Sequence, residues 1–180
     1  MLDSSMTALL VVDVQEAFRS VIGDFDRLVS RAVIAARGFQ ILGLPAFVTE
    51  QYPKGLGHTA QEIRDVLPDD FAYIEKSTFS SCGGSRLENN LAEVGAKQVL
   101  VCGLETHVCV NQTVHDLLDR EFDVHLLTDC VASRFESDKQ VGLSKMFSSG
   151  AVPSSVEMAL FELMRDSRHE KFKEIQALIK

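Results

Sequence analysis

Three stretches of this chain, "TALLVVDV" (7–14), "KQVLVCGL" (97–104) and "DVHLLTD" (123–129), are nearly unbroken apolar runs. A strand with one wet face would alternate apolar and polar residues. A continuous run needs apolar cover on both faces, as in a parallel sheet clothed by helices. The intervening segments supply the helices. Residues 25–43 carry Leu28, Val29, Ala32, Val33, Ala36 and Phe39 at helical spacing, with Gly43 as the stop. Residues 44–50 and 71–76 read as further strands, 51–59 as a Gly- and Pro-rich loop, and 62–67 as one or two helical turns. Helices are expected at 85–96 with Ser85 as cap, at 107–122, at 137–150 with Ser137 as cap, and at 155–166. "AVPSS" (151–155) is long enough only for an edge strand, and 168–180 reads as a solvated helical extension able to pack on a neighbour. Strand–helix alternation throughout predicts an α/β fold, a parallel sheet with helices on both faces, in a single domain over 1–180.

Bulk properties narrow the function. The chain has 180 residues and a net charge of −8, without a Lys/Arg run. Such a chain repels phosphates, which argues against nucleic acid as partner. No stretch approaches the roughly 20 apolar residues of a membrane span. Cys82, Cys102, Cys109 and Cys130 form no C-x-x-C pair, and the apolar run 8–12 is too short for a secretory leader. Free thiols in a reducing, cytoplasmic setting are expected, with an organellar address left open.

Ligands of open α/β sheets bind at the carboxyl ends of strands. Asp13 ends the first strand, Lys76 ends "FAYIEK", and Cys109 opens the helix after "KQVLVCGL". Each also has a purely structural reading: Asp13 as a cap, Lys76 as a solvated loop residue, Cys109 as a small core hydrophobe. As a group they offer more. A helix N-terminus and a nearby Lys⁺ lower a thiol pKa, Asp13 can take and return the proton, and backbone N–H groups can bind an oxyanion.

"LLVVDVQ" around Asp13, "EKSTFS" around Lys76 and "GLETHVCV" around Cys109 resemble the isochorismatase-like cysteine hydrolases, in order and over nearly the whole chain. "TEQYPKGLGHT" and "GLETHVC" look nearest to the isochorismatase domain-containing branch. The resemblance implies a three-layer α/β/α sandwich around a six-stranded parallel sheet. It implies Cys109 as nucleophile, Asp13 as proton acceptor and donor, and Lys76 as the residue holding both and favouring the thiolate. It further implies a cis peptide at Leu104–Glu105, aiming the N–H groups of Glu105 and Cys109 at a substrate oxygen. The implied activity is cofactor-independent hydrolysis of a small amide, carbamoyl or related substrate through a covalent thiol intermediate, in a homo-oligomer. The alternative is a catalytically weak or inactive interaction module on the same fold.

Some features depart from the family or carry less weight. Relatives with a metal use an Asp and several His residues near strand two, whereas this chain offers Glu50 and a lone His58, so no metal is expected. Glu105 stands where many members have a small residue, and its carboxylate either narrows the pocket or binds a neighbouring loop. Gln15, Phe18 and Tyr52 are candidates to line the pocket, because the loops after strands one and two border the same edge. "CGGS" (82–85) lacks the pattern of a phosphate loop and reads as a turn. His107 and His115 are too far apart to share a ligand, and His107, two positions from Cys109, points elsewhere on a helix. Cys102 and Cys130 read as packing residues.

Overall fold

The computed structural model describes residues 1–84 and 86–180. The chain lays down β1 (Thr7–Val12), α1 (Phe25–Leu42), β2 (Ala46–Gln51), α2 (Pro53–Leu56), α3 (Gln61–Arg64), β3 (Ile74–Lys76) and α4 (Leu87–Glu93). There follow β4 (Gln98–Leu104), a π-turn (Thr106–Val110), α5 (Asn111–Asp119), β5 (Asp123–Ala132), α6 (Glu136–Ser148), β6 (Val152–Ser154), α7 (Val156–Met164) and α8 (Phe172–Ile179). All six strands are parallel, in the order β3-β2-β1-β4-β5-β6. The strand order therefore reverses between β1 and β4, which is where such sheets hold ligands.

The apolar runs do what their composition demands. Every residue of β1 and β4 is buried. Leu9 and Val11 face one cluster, with Leu28, Ala32 and Phe39 of α1, Leu160 and Leu163 of α7, and Ile175 of α8. Ala8, Leu10 and Val12 face the other, with Leu87 and Leu91 of α4, Val114 and Leu117 of α5, and Met146 of α6. These are the two helical layers of the expected α/β/α sandwich.

Several local expectations need correction. Residues 168–180 are not a free extension: α8 docks its apolar stripe of Phe172, Ile175, Leu178 and Ile179 on the α1 side of the sheet. Leu160 and Met164 of α7 also point into that core, while Met158 stays exposed and Phe161 meets the ring of Phe172. α6 begins at Glu136 with Phe135 as its extended cap residue, so Ser137 lies inside the helix. The expected cap Ser85 lies outside the described residues. β5 continues past Asp129 because of a bulge opposite Cys102, where Val101 pairs with Leu126 but Gly103 already pairs with Val131. The bulge turns Asp129 outward to accept from Arg31 Nε (2.9 Å) and from the Val156 N–H at the start of α7 (3.0 Å). Cys102 and Cys130 pack in the core beside it.

Gly103 fixes how closely β1 and β4 approach at their carboxyl ends. Its φ is +123°, and a Cβ there would sit 2.0 Å from the Val12 carbonyl oxygen. The obstacle is backbone and cannot swing away. Gly103→Ala should therefore lower stability by about 3 kcal/mol or more. Urea denaturation measures this, and an unchanged midpoint would mean that the two strands part easily at this point.

Candidate active site

Asp13 leaves the end of β1 with φ +52°, a left-handed conformation that Asp tolerates better than most residues. Its Oδ2 lies 2.6 Å from Lys76 Nζ, and Thr49 Oγ1 donates to its Oδ1 at 2.7 Å. Both side chains of the ion pair are only 1% exposed. Burial of two charges is costly unless the remaining hydrogen-bonding capacity is met. Here Lys76 Nζ also reaches Gln51 Oε1 and the carbonyls of Thr78 and Phe79, at 2.8, 3.1 and 3.0 Å. Lys76 is thus no solvated loop lysine, and Asp13 caps no helix.

Cys109 sits inside the π-turn that joins β4 to α5, and is 8% exposed. Such single-turn π segments interrupt helices at functional sites with some frequency. The thiol lies within the fields of Asp13, Lys76 and Glu105. The three residues expected from sequence therefore meet, from β1, β3 and the turn after β4. The direction of the thiol shift is opposite to the expectation. Burial first, then the Asp13 charge, push the Cys109 thiol up to about 12, against a weaker downward pull from Lys76. The ammonium is already matched to Asp13, and the turn is not a regular helix N-terminus. At neutral pH Cys109 is therefore held as the thiol, beside Asp13.

The Leu104–Glu105 peptide is trans, as are all peptides among the described residues. Glu105 is extended (φ −82°, ψ 142°), and its carbonyl accepts from the N–H groups of both Val108 and Val110. The π-turn thus reverses the chain without a cis bond costing about 3 kcal/mol. Its position is set from outside by α6. A Cβ on Gly142 would lie 3.1 Å from the Thr106 carbonyl oxygen and from His107 Cα, a tight contact, so glycine here lets α6 come closest to the turn. His107 pairs with Ser133 Oγ at 3.0 Å and forms no dyad with Cys109.

The pocket candidates separate. Gln15 is completely buried, bonded through both ends of its amide to Gln51 and Gly57, and serves as a clamp between loops. Phe18 packs against the α1-side core, not toward Cys109. Tyr52 is exposed and lines a cleft of about 290 Å³ with Lys54, Glu75, Lys76 and Ser77. The Glu50 oxygens are taken by the Thr59 N–H and hydroxyl and by His58 Nδ1, which suits a loop anchor and not a metal ligand. Among the described residues no group of three or more His, Cys, Asp or Glu gathers for a metal. The Glu105 carboxylate binds a neighbouring loop, accepting from Arg134 N and Nε. Sequence reading missed Thr49 and Gln51, whose signal was a polar residue on each alternate position of a strand bound for the interior. It also missed Arg134 and Gly142, for which no local pattern exists.

Comparison with known proteins bears on this geometry. A family model described as "Isochorismatase domain" matches residues 7–158. Isochorismatase domain-containing protein 1 of Salmo salar is 41% identical over 175 residues, covering 97% of this chain. The chain spans 61% of that relative's length. The structure of MAR1 ribonuclease from Caenorhabditis elegans superposes with a TM-score of 0.94 at 37% identity, covering 99% of this chain and 91% of that one. YcaC from Pseudomonas aeruginosa, solved with hexane-2,5-diol and covalent acrylamide, superposes at 0.90 with 25% identity, covering 98% and 90%.

With the thiol pushed up to about 12, its thiolate fraction grows with every pH step below that value. Iodoacetamide labelling of Cys109 should accelerate about tenfold per pH unit from about pH 7 to about pH 10 without levelling. Asp13→Asn should move the profile to lower pH, since it deletes the charge that disfavours the thiolate and leaves Lys76 unbalanced. A plateau beginning near neutral pH in the wild type would contradict the burial argument.

Proposed function

The chain belongs to the isochorismatase family, and we propose that it is a cofactor-independent cysteine hydrolase of small amide, carbamoyl or related substrates. The observation that carries this reading is the buried Asp13–Lys76 pair at 2.6 Å, with the Cys109 thiol close enough for both charges to act on it. In the proposed reaction the thiol proton passes to Asp13 as the sulfur forms a C–S bond to the substrate carbonyl carbon. The backbone N–H groups of Glu105 and Cys109 receive the oxyanion. Asp13 then protonates the leaving nitrogen as the C–N bond breaks. It next takes a proton from water, whose oxygen displaces the sulfur and returns the free thiol and an acid. Lys76 stays charged throughout. It stabilises the carboxylate between steps and the sulfur anion as it develops.

The covalent acrylamide in the Pseudomonas aeruginosa relative is compatible with a reactive group in this fold. The ribonuclease name of the nematode relative invites RNA as substrate. The net charge of −8 and the engagement of Lys76 by buried acceptors speak against a polyanion. A second reading, an interaction module with little turnover, draws support from the near-complete burial of Cys109 and its raised thiol pKa. We read residues 1–180 as one domain of a homo-oligomer in a reducing, cytoplasmic setting, which suits four free cysteines. No described helix is long and apolar enough to cross a membrane.

Ammonia release from a panel of small primary amides and N-carbamoyl compounds tests the hydrolase. Cys109→Ala should abolish turnover, and Asp13→Asn should cut it by about 10²- to 10⁴-fold. A mass adduct should appear on Cys109 during turnover. Turnover that persists in Cys109→Ala rules out the mechanism. Turnover of no compound by the wild type, with RNA cleavage also absent, favours the interaction module.

A further inference from the structure

We propose that Thr113 and Asp116 of α5 are positioning residues, which hold the loop after β3 so that Lys76 stands beside Asp13 and Cys109. This rests on the hydrolase reading above. α5 runs on directly from the π-turn, and Cys109, Thr113 and Asp116 follow one another at i, i+4 and i+7. That spacing sets them along one side of the helical stretch. Cys109 stands at the end of this row beside Asp13 and Lys76. The two residues beyond it grip the loop. Asp116 Oδ2 accepts from Ser80 Oγ at 2.5 Å, a length typical of a hydroxyl bonded to a carboxylate. Thr113 Oγ1 accepts from the Ser81 N–H at 2.9 Å and donates to Ser81 Oγ at 3.2 Å.

The grip reaches Lys76 through the backbone. Its ammonium donates to the carbonyls of Thr78 and Phe79, and Phe79 adjoins Ser80. The loop behaves as one piece because it is bonded to itself. Thr78 Oγ1 shares its proton between the carbonyls of Ser80 and Gly83, 2.8 Å from each, and the Cys82 N–H donates to Ser80 Oγ. Thr113, Ser80 and Ser81 are buried, so a bond lost among them is not readily replaced by water. The nucleophile and the ammonium thus come from different elements yet share one frame, since the helix that follows Cys109 also fixes the loop that follows Lys76. The other contact of Asp116, Arg120 Nη1 at 4.0 Å, lies between partly exposed side chains and adds little to the frame.

Three variants test this. Asp116→Ala deletes the bond to Ser80, Asp116→Asn keeps an oxygen that accepts from it, and Arg120→Ala removes only the surface contact. Acylation by acetic anhydride, counted by peptide mass spectrometry, reports how well Lys76 is covered, with exposed Lys54 as the internal standard. Lys76 should acylate about tenfold faster in Asp116→Ala, while Cys130 in the opposite helical layer stays closed to iodoacetamide. In the same variant kcat for an amide substrate should fall about tenfold with KM little changed, and Asp116→Asn should restore both wild-type behaviours. Ser80→Ala repeats the test from the loop side if Asp116→Ala fails to fold. Lys76 as well covered in these variants as in wild type overturns the inference. So does turnover no lower than in Arg120→Ala, or Cys130 opening together with Lys76, which marks general loosening. If the wild type turns over no amide, the hydrolase reading falls by itself, and the acylation of Lys76 still decides whether α5 holds the loop.

Discussion

An ammonium and a carboxylate buried in contact, Lys76 with Asp13, dictate how the carboxyl edge of the sheet is built. Each charge alone would cost several kcal/mol to remove from water. The pair is tolerable only because Thr49, Gln51 and the carbonyls of Thr78 and Phe79 complete its hydrogen bonding. That requirement ties β1, β2, β3 and the loop after β3 into one rigid corner. A buried ion pair is weak evidence for stability, since well-packed apolar residues often do as well. Its presence beside a thiol, on a residue with φ +52°, fits the chemistry proposed for this site.

The topology decides which thiol meets that corner. β1 and β4 are neighbours at the point where the strand order reverses, and the segments that leave them run to opposite faces of the sheet. Gly103 lets the two strands close in at their ends, and Gly142 lets α6 press the π-turn down from the other side. Cys109 is thus placed by backbone contacts on both flanks, and its side chain packs in the cluster on the α5 side. Cys102, seven residues earlier on β4, faces the α1 side and packs in the core there. The same side chain has a different fate on the two faces of one sheet.

What the sequence revealed follows from this arrangement. Buried strands are legible because burial on both faces forces apolar runs, and Asp13, Lys76 and Cys109 are legible because each interrupts or follows such a run. The α8 docking was misjudged because a short amphipathic stripe reads alike whether its cover is the parent chain or a second molecule. The β5 bulge left no mark, since Thr128, Asp129 and Cys130 look like a strand end followed by a loop. The direction of the Cys109 shift was also hidden. It depends on depth of burial and on which partner already engages Lys76, and neither is a local property. Gln15 and Glu105 both lie beside motif residues, yet one clamps a loop and the other holds Arg134.

The raised thiol pKa reconciles a buried sulfur with proposed nucleophilic chemistry. A standing thiolate in this apolar turn would face the Asp13 carboxylate and the Glu105 charge with little water to screen either. A protonated thiol beside Asp13 avoids that repulsion while keeping the proposed acceptor of its proton close. Transfer of the proton to Asp13 removes one negative charge as it creates another, and leaves Lys76 beside both atoms. The net charge of the triad is the same before and after. The barrier is then governed by how far an electrophile draws electron density from sulfur, which makes activation conditional on a correctly seated substrate. On this view burial does not silence the nucleophile. It confines the reactive form to the moment when a carbonyl carbon is in place to receive it.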